Sequence, residues 1–272
     1  MPMSPSFQGR LYPVLNEIAE HFGTPFHIYD ETGIRETGRQ LIEAFRHVAP
    51  FREYYAVKAL PNLRILEIMR DLGFGFDCSS IPELVLARMA GARGEAIMFT
   101  SNNTTPEEFA AAQNEGGSII NLDDISLADK LTPFPELVSF RYNPGARRTG
   151  NAIIGNPVES KYGVSHEQVV AAYQMAIERG ARRFGLHTMI ASNELDHRNI
   201  VETTRMILDI AAWVGRINDI QFEFVNIGGG IGIPYKPEQP AFNLGAMAEA
   251  VRQCAVLHLD HIRDNGDPFE FG

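Results

Sequence analysis

The run Tyr54-Tyr55-Ala56-Val57-Lys58 is apolar, β-prone, and delivers a lysine at its end. A lysine at the C-terminal edge of a barrel strand is partly desolvated, which favours the neutral amine and makes it a candidate Schiff-base nucleophile. The competing reading is a surface lysine that ends a strand. Farther along, Gly228-Gly229-Gly230-Ile231-Gly232 follows another β-prone run. Glycines let backbone N–H groups approach an anion without Cβ obstruction and adopt the φ > 0 values such a nest needs, so this loop suits a phosphate; alone it reads equally as a tight turn. A dinucleotide-binding Gly-x-Gly-x-x-Gly reading fails, because Ile233 stands where the third glycine would fall. Together with Ser192 and Glu270, these residues describe a site for an aldehyde cofactor with a phosphate handle. Lys58 would form the imine, the glycines and Ser192 would hold the phosphate, and Glu270 would keep a ring nitrogen protonated, making the ring an electron sink for a carbanion. For Glu270, an exposed residue near a chain end is the alternative.

These residues need elements that bring them to one mouth. The pattern predicts strands at Glu53–Lys58, Gly75–Ser79, Ile97–Ser101, Ser118–Leu122, Leu137–Asn143, Phe184–Ile190, Phe222–Ile227 and Pro268–Phe271. Helical periods fall at Glu31–His47, Leu63–Leu72, Pro82–Ala90, Pro106–Glu115, Ile125–Leu131, His166–Arg179, Arg198–Val214 and Leu244–Leu259, with Asp30 as N-cap of the first. Such alternation implies right-handed parallel crossovers, and eight repeats close into a (β/α)8 TIM-type barrel, helix first and strand last. Residues 1–30 are expected to form an arm, with a helix at Leu15–Phe22 and a strand at Phe26–Asp30, and residues 31–272 the barrel. Pro144–Gly163 reads as a long loop over the C-terminal mouth. In this arrangement Lys58, Asp77 to Ser80, Met189 to Asn193, the glycine loop and Glu270 to Gly272 all lie at strand ends, where this fold builds its sites.

The 272 residues are 44% apolar and 21% charged, enough for a large core. A formal charge of −10 with no basic run excludes a nucleic-acid partner. Cys78 and Cys254 are too few for a disulfide framework and lie in no metal-ligand spacing, so no metal is expected. No apolar run reaches about 18 residues and the N-terminus lacks a signal-peptide pattern, so a cytoplasmic protein without membrane contact is expected.

Several segments resemble the fold-type III pyridoxal-phosphate decarboxylases, the diaminopimelate decarboxylases among them, over nearly the whole chain. They include Thr24–Asp30, Tyr55-Ala56-Val57-Lys58-Ala59, Gly75–Ser80 with Glu83-Leu84, Ile120–Asp123, Arg141–Gly145, Ser160–Val164 and, most specifically, Asn226-Ile227-Gly228-Gly229-Gly230-Ile231-Gly232-Ile233-Pro234-Tyr235. Glu270-Phe271-Gly272 is similar to the start of a Glu-Pro-Gly-Arg motif. The resemblance implies an alanine racemase-like barrel with pyridoxal 5'-phosphate as cofactor, Lys58 as the lysine that binds it, and Gly228, Gly229, Gly230 and Ser192 on its phosphate. Asp77, Met189, Glu270 and Gly272 complete the implied cofactor site, with Glu270 on the pyridine nitrogen. The implied reaction is decarboxylation of a small amino acid, meso-diaminopimelate to L-lysine. Arginine, ornithine or carboxynorspermidine decarboxylases and a non-catalytic single-barrel cofactor-binding protein are the alternatives.

Three departures accompany the likeness. Met189-Ile190-Ala191-Ser192 stands where the family has His-Ile-Gly-Ser, and Met189 can pack its polarizable sulfur on a ring but cannot act as an acid. His187, two residues earlier on the same face, reads as a packed barrel residue. Ser80-Ile81-Pro82 replaces a glycine pair, which would tighten that turn. The chain also stops where the motif's arginine should come. The family's C-terminal β-domain, which completes the active site of a partner subunit in a homodimer, is therefore expected to be missing from these residues.

Overall fold

The computed structural model describes residues 3–48, 50–147, 162–262 and 270–271. Two short helices, α1 (Pro5–Leu11) and α2 (Leu15–Phe22), lead into α3 (Glu31–Phe45). Strand and helix then alternate: β1 (Tyr54–Ala56), α4 (Leu63–Asp71), β2 (Gly75–Cys78), α5 (Ile81–Met89), β3 (Ile97–Ser101), α6 (Pro106–Gln113), β4 (Ile119–Leu122), β5 (Leu137–Arg141), α7 (Val169–Glu178), β6 (Arg183–His187), α8 (His197–Asn218), β7 (Phe222–Asn226), α9 (Leu244–Ile262) and β8 (Glu270–Phe271). The strands form one eight-stranded sheet in chain order, and every ladder is parallel. This is the α/β, TIM-like architecture the alternation requires. Among the described residues no ladder joins β8 back to β1.

The pleat divides the strands into two faces. Outward residues such as Phe76, Phe99, Ile120, Val138, Phe140, Leu186 and Val225 are buried with the inner sides of the helices in the main core. The inward face begins as a small apolar floor of Met98, Ile119, Leu137 and Phe224, with Tyr54 against it. Phe224 fits only because β6 offers Gly185 beneath it; a Cβ there would stand 2.0 Å from the ring. Toward the C-terminal ends the inward positions turn polar, with Asp77, Thr100, Asn121, Ser139, Arg141, His187 and Asn226. The site is built on that polar tier.

Local signals explain most boundaries. Asn62 accepts from the N–H groups of Arg64 and Ile65 at the start of α4, and Thr105 forms a reciprocal capping box with Glu108 on α6. Several expectations need correction. Asp30 occupies the N-cap position of α3 but caps no backbone N–H; its carboxylate accepts from Arg10 at 2.6 Å, a charge-assisted bond that outcompetes a neutral donor. Phe26–Asp30 carries no strand, since nothing in the described residues offers it a ladder. Ile125–Lys130 is a 3-10 segment rather than an α-helix, started by Asp124, which accepts from both the N–H and the hydroxyl of Ser126. β1 stops at Ala56, and Lys58 falls in a 3-10 turn over Val57–Ala59. Most of the expected Pro144–Gly163 loop, residues 148–161, lies outside the described residues, as does Gly272.

Candidate active site

Lys58 stands immediately beyond β1 and is exposed, so the partial desolvation expected of it is not found. The reason is the turn: it carries the lysine past the ladder into the mouth. Beside it, Asp77 on β2 is half-buried and accepts from Thr100 Oγ1 at 2.7 Å, while Asn121 Nδ2 donates to the same Thr100 oxygen at 2.8 Å. Burial pushes the Asp77 carboxyl up to about 6, assisted by the negative charge of Glu83 and opposed by the Thr100 bond and the positive charges of Lys58 and Arg141. Asp77 therefore lies within the field of Lys58, poised to exchange a proton near neutrality. Glu83 itself is engaged by Ser79 N–H at 2.9 Å and by the hydroxyls of Ser79 and Ser80 at 3.0 Å. These bonds close the Ser80-Ile81-Pro82 turn without a glycine.

Across the mouth, Arg141 donates to Asp123 Oδ1 at 3.2 Å and to the Met189 carbonyl at 3.4 Å. Both side chains are largely shielded, 14% and 3% exposed, which makes this a pair whose members depend on each other. Burial raises the Asp123 carboxyl and Arg141 opposes that rise. His187, the register partner of Arg141, is buried; burial first, then the Arg141 charge, holds its imidazole neutral, pulled down to about 3. It is a packed barrel residue and no proton donor near neutrality.

The glycine loop that follows β7 is held to the segment that follows β6. Gly228 N–H donates to Asn226 Oδ1 at 2.8 Å, Glu194 N–H to the Gly230 carbonyl at 2.7 Å, and Gly232 N–H to the Glu194 carbonyl at 2.8 Å. Gly228 and Gly230 have φ of +73° and +95°, and a Cβ on them would stand 2.3 Å from the Thr188 carbonyl and 2.2 Å from the Ala191 carbonyl. At Gly229 a Cβ would meet nothing within 4 Å. Its N–H donates to the Met189 thioether at 3.3 Å. Met189, Ser192 and the three glycines thus share one end of the barrel with Lys58 and Asp77. Glu270 is the β8 register partner of Phe224.

The residues present fit a phosphate-bearing aldehyde: an exposed amine beside a carboxyl of raised proton affinity, and a glycine backbone that is open at its middle position. Sequence reasoning did not single out Thr100, Asn121, Asp123, Arg141 and Asn226 as site residues. Their signal was the alternation of polar with apolar residues inside strands, as in Ile120-Asn121-Leu122-Asp123 and Val138-Ser139-Phe140-Arg141. Among the described residues no cluster of His, Cys, Asp and Glu could hold a metal ion, and no helix is long and apolar enough to cross a membrane.

Residues 33–264 match the family described as pyridoxal-dependent decarboxylase, pyridoxal binding domain. The chain is 42% identical over 261 residues to protein TabA of Pseudomonas amygdali pv. tabaci, covering 96% of this chain and 62% of that protein. It is 35% identical over 241 residues to the diaminopimelate decarboxylase of Methanothermobacter thermautotrophicus, covering 86% of this chain and 56% of the relative. Its fold superposes on the crystal structure of diaminopimelate decarboxylase from M. jannaschii in complex with L-lysine with a TM-score of 0.83 and 29% identity, over 94% of this chain and 61% of that one. The chain spans about three-fifths of the length of the curated relatives it matches.

Proposed function

The chain belongs to the pyridoxal-dependent decarboxylase family, and from that premise we propose that it is the barrel of a carboxy-lyase that removes the α-carboxylate of a small amino acid, meso-diaminopimelate, to give L-lysine. Its cofactor is pyridoxal 5'-phosphate, which when bound supplies the electron sink for the carbanion left by CO2. The observation that carries the reading is the convergence at one barrel mouth of Lys58, the Asp77–Thr100 pair and the open backbone at Gly229.

Each residue has a part in this reading. Lys58 would hold the cofactor through its amine, and Asp77 beside it would hold a proton near that amine. Gly228, Gly229, Gly230 and Ser192 would hold the phosphate, and the family likeness assigns Glu270 to the ring nitrogen. Met189, its carbonyl fixed by Arg141 and its sulfur beside the Gly229 amide, would pack against the ring. Holding the scissile bond in one orientation is the protein's main contribution, since positioning can supply about 7–11 kcal/mol of barrier reduction. Diaminopimelate is favoured by the relatives that carry that name and by the neighbouring structure's bound L-lysine. Higher identity to TabA, 42% against 35%, favours as second reading a decarboxylase of the same class with a different amino-acid substrate. A homodimer with shared active sites in the cytoplasm completes the proposal.

The experiment is borohydride reduction of the cofactor-loaded protein followed by peptide mapping, with CO2 release from meso-diaminopimelate, ornithine and arginine measured on the native protein. Pyridoxyl label on Lys58 with release from diaminopimelate supports the first reading. Label on Lys161 overturns the site, and release from another amino acid alone moves the substrate.

A further inference from the structure

Three polar side-chain atoms in the barrel interior have no hydrogen-bond partner within the protein: Asn121 Oδ1, Ser139 Oγ and His187 Nδ1. Their residues are 2%, 0% and 8% exposed, so bulk solvent does not satisfy them. Native interiors rarely leave such groups unpartnered, and three in one place point to something that bonds them all. They stand on consecutive strands: Asn121 on β4 is the register partner of Ser139 on β5, and Ser139 is the partner of Gly185, two residues before His187 on β6. Period-two alternation puts all three on the inner face. Gly185 contributes no side chain, and the Phe224 ring packed over it joins the apolar floor that closes this space from below.

The neighbouring bonds fix what the occupant must be. Asn121 gives its amide protons to Thr100 Oγ1 at 2.8 Å and, more distantly, to Met98 Sδ at 3.8 Å, so its carbonyl oxygen is left as a pure acceptor. Thr100 in turn gives its only hydroxyl proton to Asp77 at 2.7 Å. Ser139 can both donate and accept, and a neutral His187 does either through Nδ1 according to its tautomer. An anion is refused by the Asn121 carbonyl. A cation finds no carboxylate among the three atoms and faces the nearby charge of Arg141. Water, with two donors and two acceptors, matches the set, and three partners is about the number a buried water typically has.

We propose that the barrel interior holds an internal water site formed by Asn121, Ser139 and His187, and that its water locks the Asn121 amide so that the chain Asn121–Thr100–Asp77 directs its protons toward the carboxylate beside Lys58. The site goes beyond the cofactor reading and does not depend on it. A crystal structure of the wild-type protein at a resolution that places waters tests it. Density is expected within about 3.2 Å of Asn121 Oδ1 and Ser139 Oγ, with His187 Nδ1 bonded to the same water or to a second one in line. In solution, a water-to-amide nuclear Overhauser contact at the Asn121 side chain should be present in the wild type and lost in Ser139→Ala. A dry interior, an Asn121 amide turned so that its nitrogen meets Ser139, or a water that persists unchanged in Ser139→Ala each overturn the proposal.

Discussion

Replacing Asp77 by asparagine should stabilise the fold at alkaline pH while removing a group from the site. The Asp77 carboxyl is raised from 3.8 to about 6, burial being the largest cause, so the folded state accommodates the protonated form better than the unfolded chain does. Its contribution is therefore fully present below the unfolded value of 3.8, declines as pH rises through 6, and becomes a constant cost above roughly pH 7. A rise of about two units corresponds to about 3 kcal/mol at 1.36 kcal/mol per unit, and the partial exposure of the residue reduces this to about 1–2 kcal/mol. Asparagine keeps the acceptor for Thr100 and never ionises.

Urea unfolding of the wild type and Asp77→Asn at pH 4 and pH 8 measures the difference. The variant should gain about 1–2 kcal/mol at pH 8, a rise in Tm of about 2–8 °C for a chain of this size, and almost nothing at pH 4. Lys58 lowers the Asp77 carboxyl through its charge, so the gain at pH 8 should be larger when Lys58→Met is introduced first. No gain at pH 8, or an equal gain at both pH values, would refute the assignment of a buried, reluctantly ionised carboxylate at this mouth.

The glycine loop should respond position by position: Gly230→Ala forces a Cβ against the Ala191 carbonyl at φ +95° and should cost about 2 kcal/mol or more in denaturant unfolding, whereas Gly229→Val should change stability by under about 0.5 kcal/mol yet weaken pyridoxal phosphate binding about 10-fold or more by equilibrium dialysis. Arg141→Met strands the Asp123 carboxylate in a site where it is 3% exposed, so unfolding free energy should fall by about 3 kcal/mol at pH 8 and by less in acid, where the carboxyl protonates; Asp123→Asn should restore part of the loss. Met189→Leu removes the sulfur that accepts from Gly229 N–H at 3.3 Å and should tighten pyridoxal phosphate relative to unphosphorylated pyridoxal by a few-fold, as read by absorbance titration of both.

How far the fold could be read in advance follows from which forces set each piece. The barrel's strand order is legible because buried parallel strands carry apolar runs between amphipathic helices, as Ile97-Met98-Phe99 and Ile119-Ile120 show. Helix α2 occupies the expected Leu15–Phe22 because its boundaries are local, set by the apolar period and by Gly23 at its end. Asp30 is the N-cap the pattern predicts, yet its carboxylate turns to Arg10, and Phe26–Asp30 lacks the neighbouring strand a ladder needs; both outcomes depend on distant partners. Lys58 lies where a strand would have to bend into a turn, a matter of one residue that composition does not fix. The polar tier was hidden for a different reason. Thr100, Asn121 and Ser139 sit in runs apolar enough to read as strands, and their shared layer, like the pairing of Arg141 with His187 above it, depends on the register between strands, which no single segment encodes.

The glycine triplet shows how two competing readings of one motif can divide along its residues. Gly228 and Gly230 are demanded by the fold: each has φ > 0 and each is pressed against a carbonyl of the segment after β6, so a turn reading suffices for both. Gly229 is under neither constraint, since its surroundings would accept a side chain. A purely structural loop would have no use for glycine at that position, and drift toward a residue that restricts the unfolded chain would add stability. Glycine there therefore points to a requirement outside the protein's own packing. The two flanking glycines and the Glu194 bridge hold the backbone rigid, so the amide in the middle is presented without the entropy cost of ordering it. Met189 rests on that amide through a thioether, a weak acceptor that a phosphate oxygen, charged and small, would readily displace.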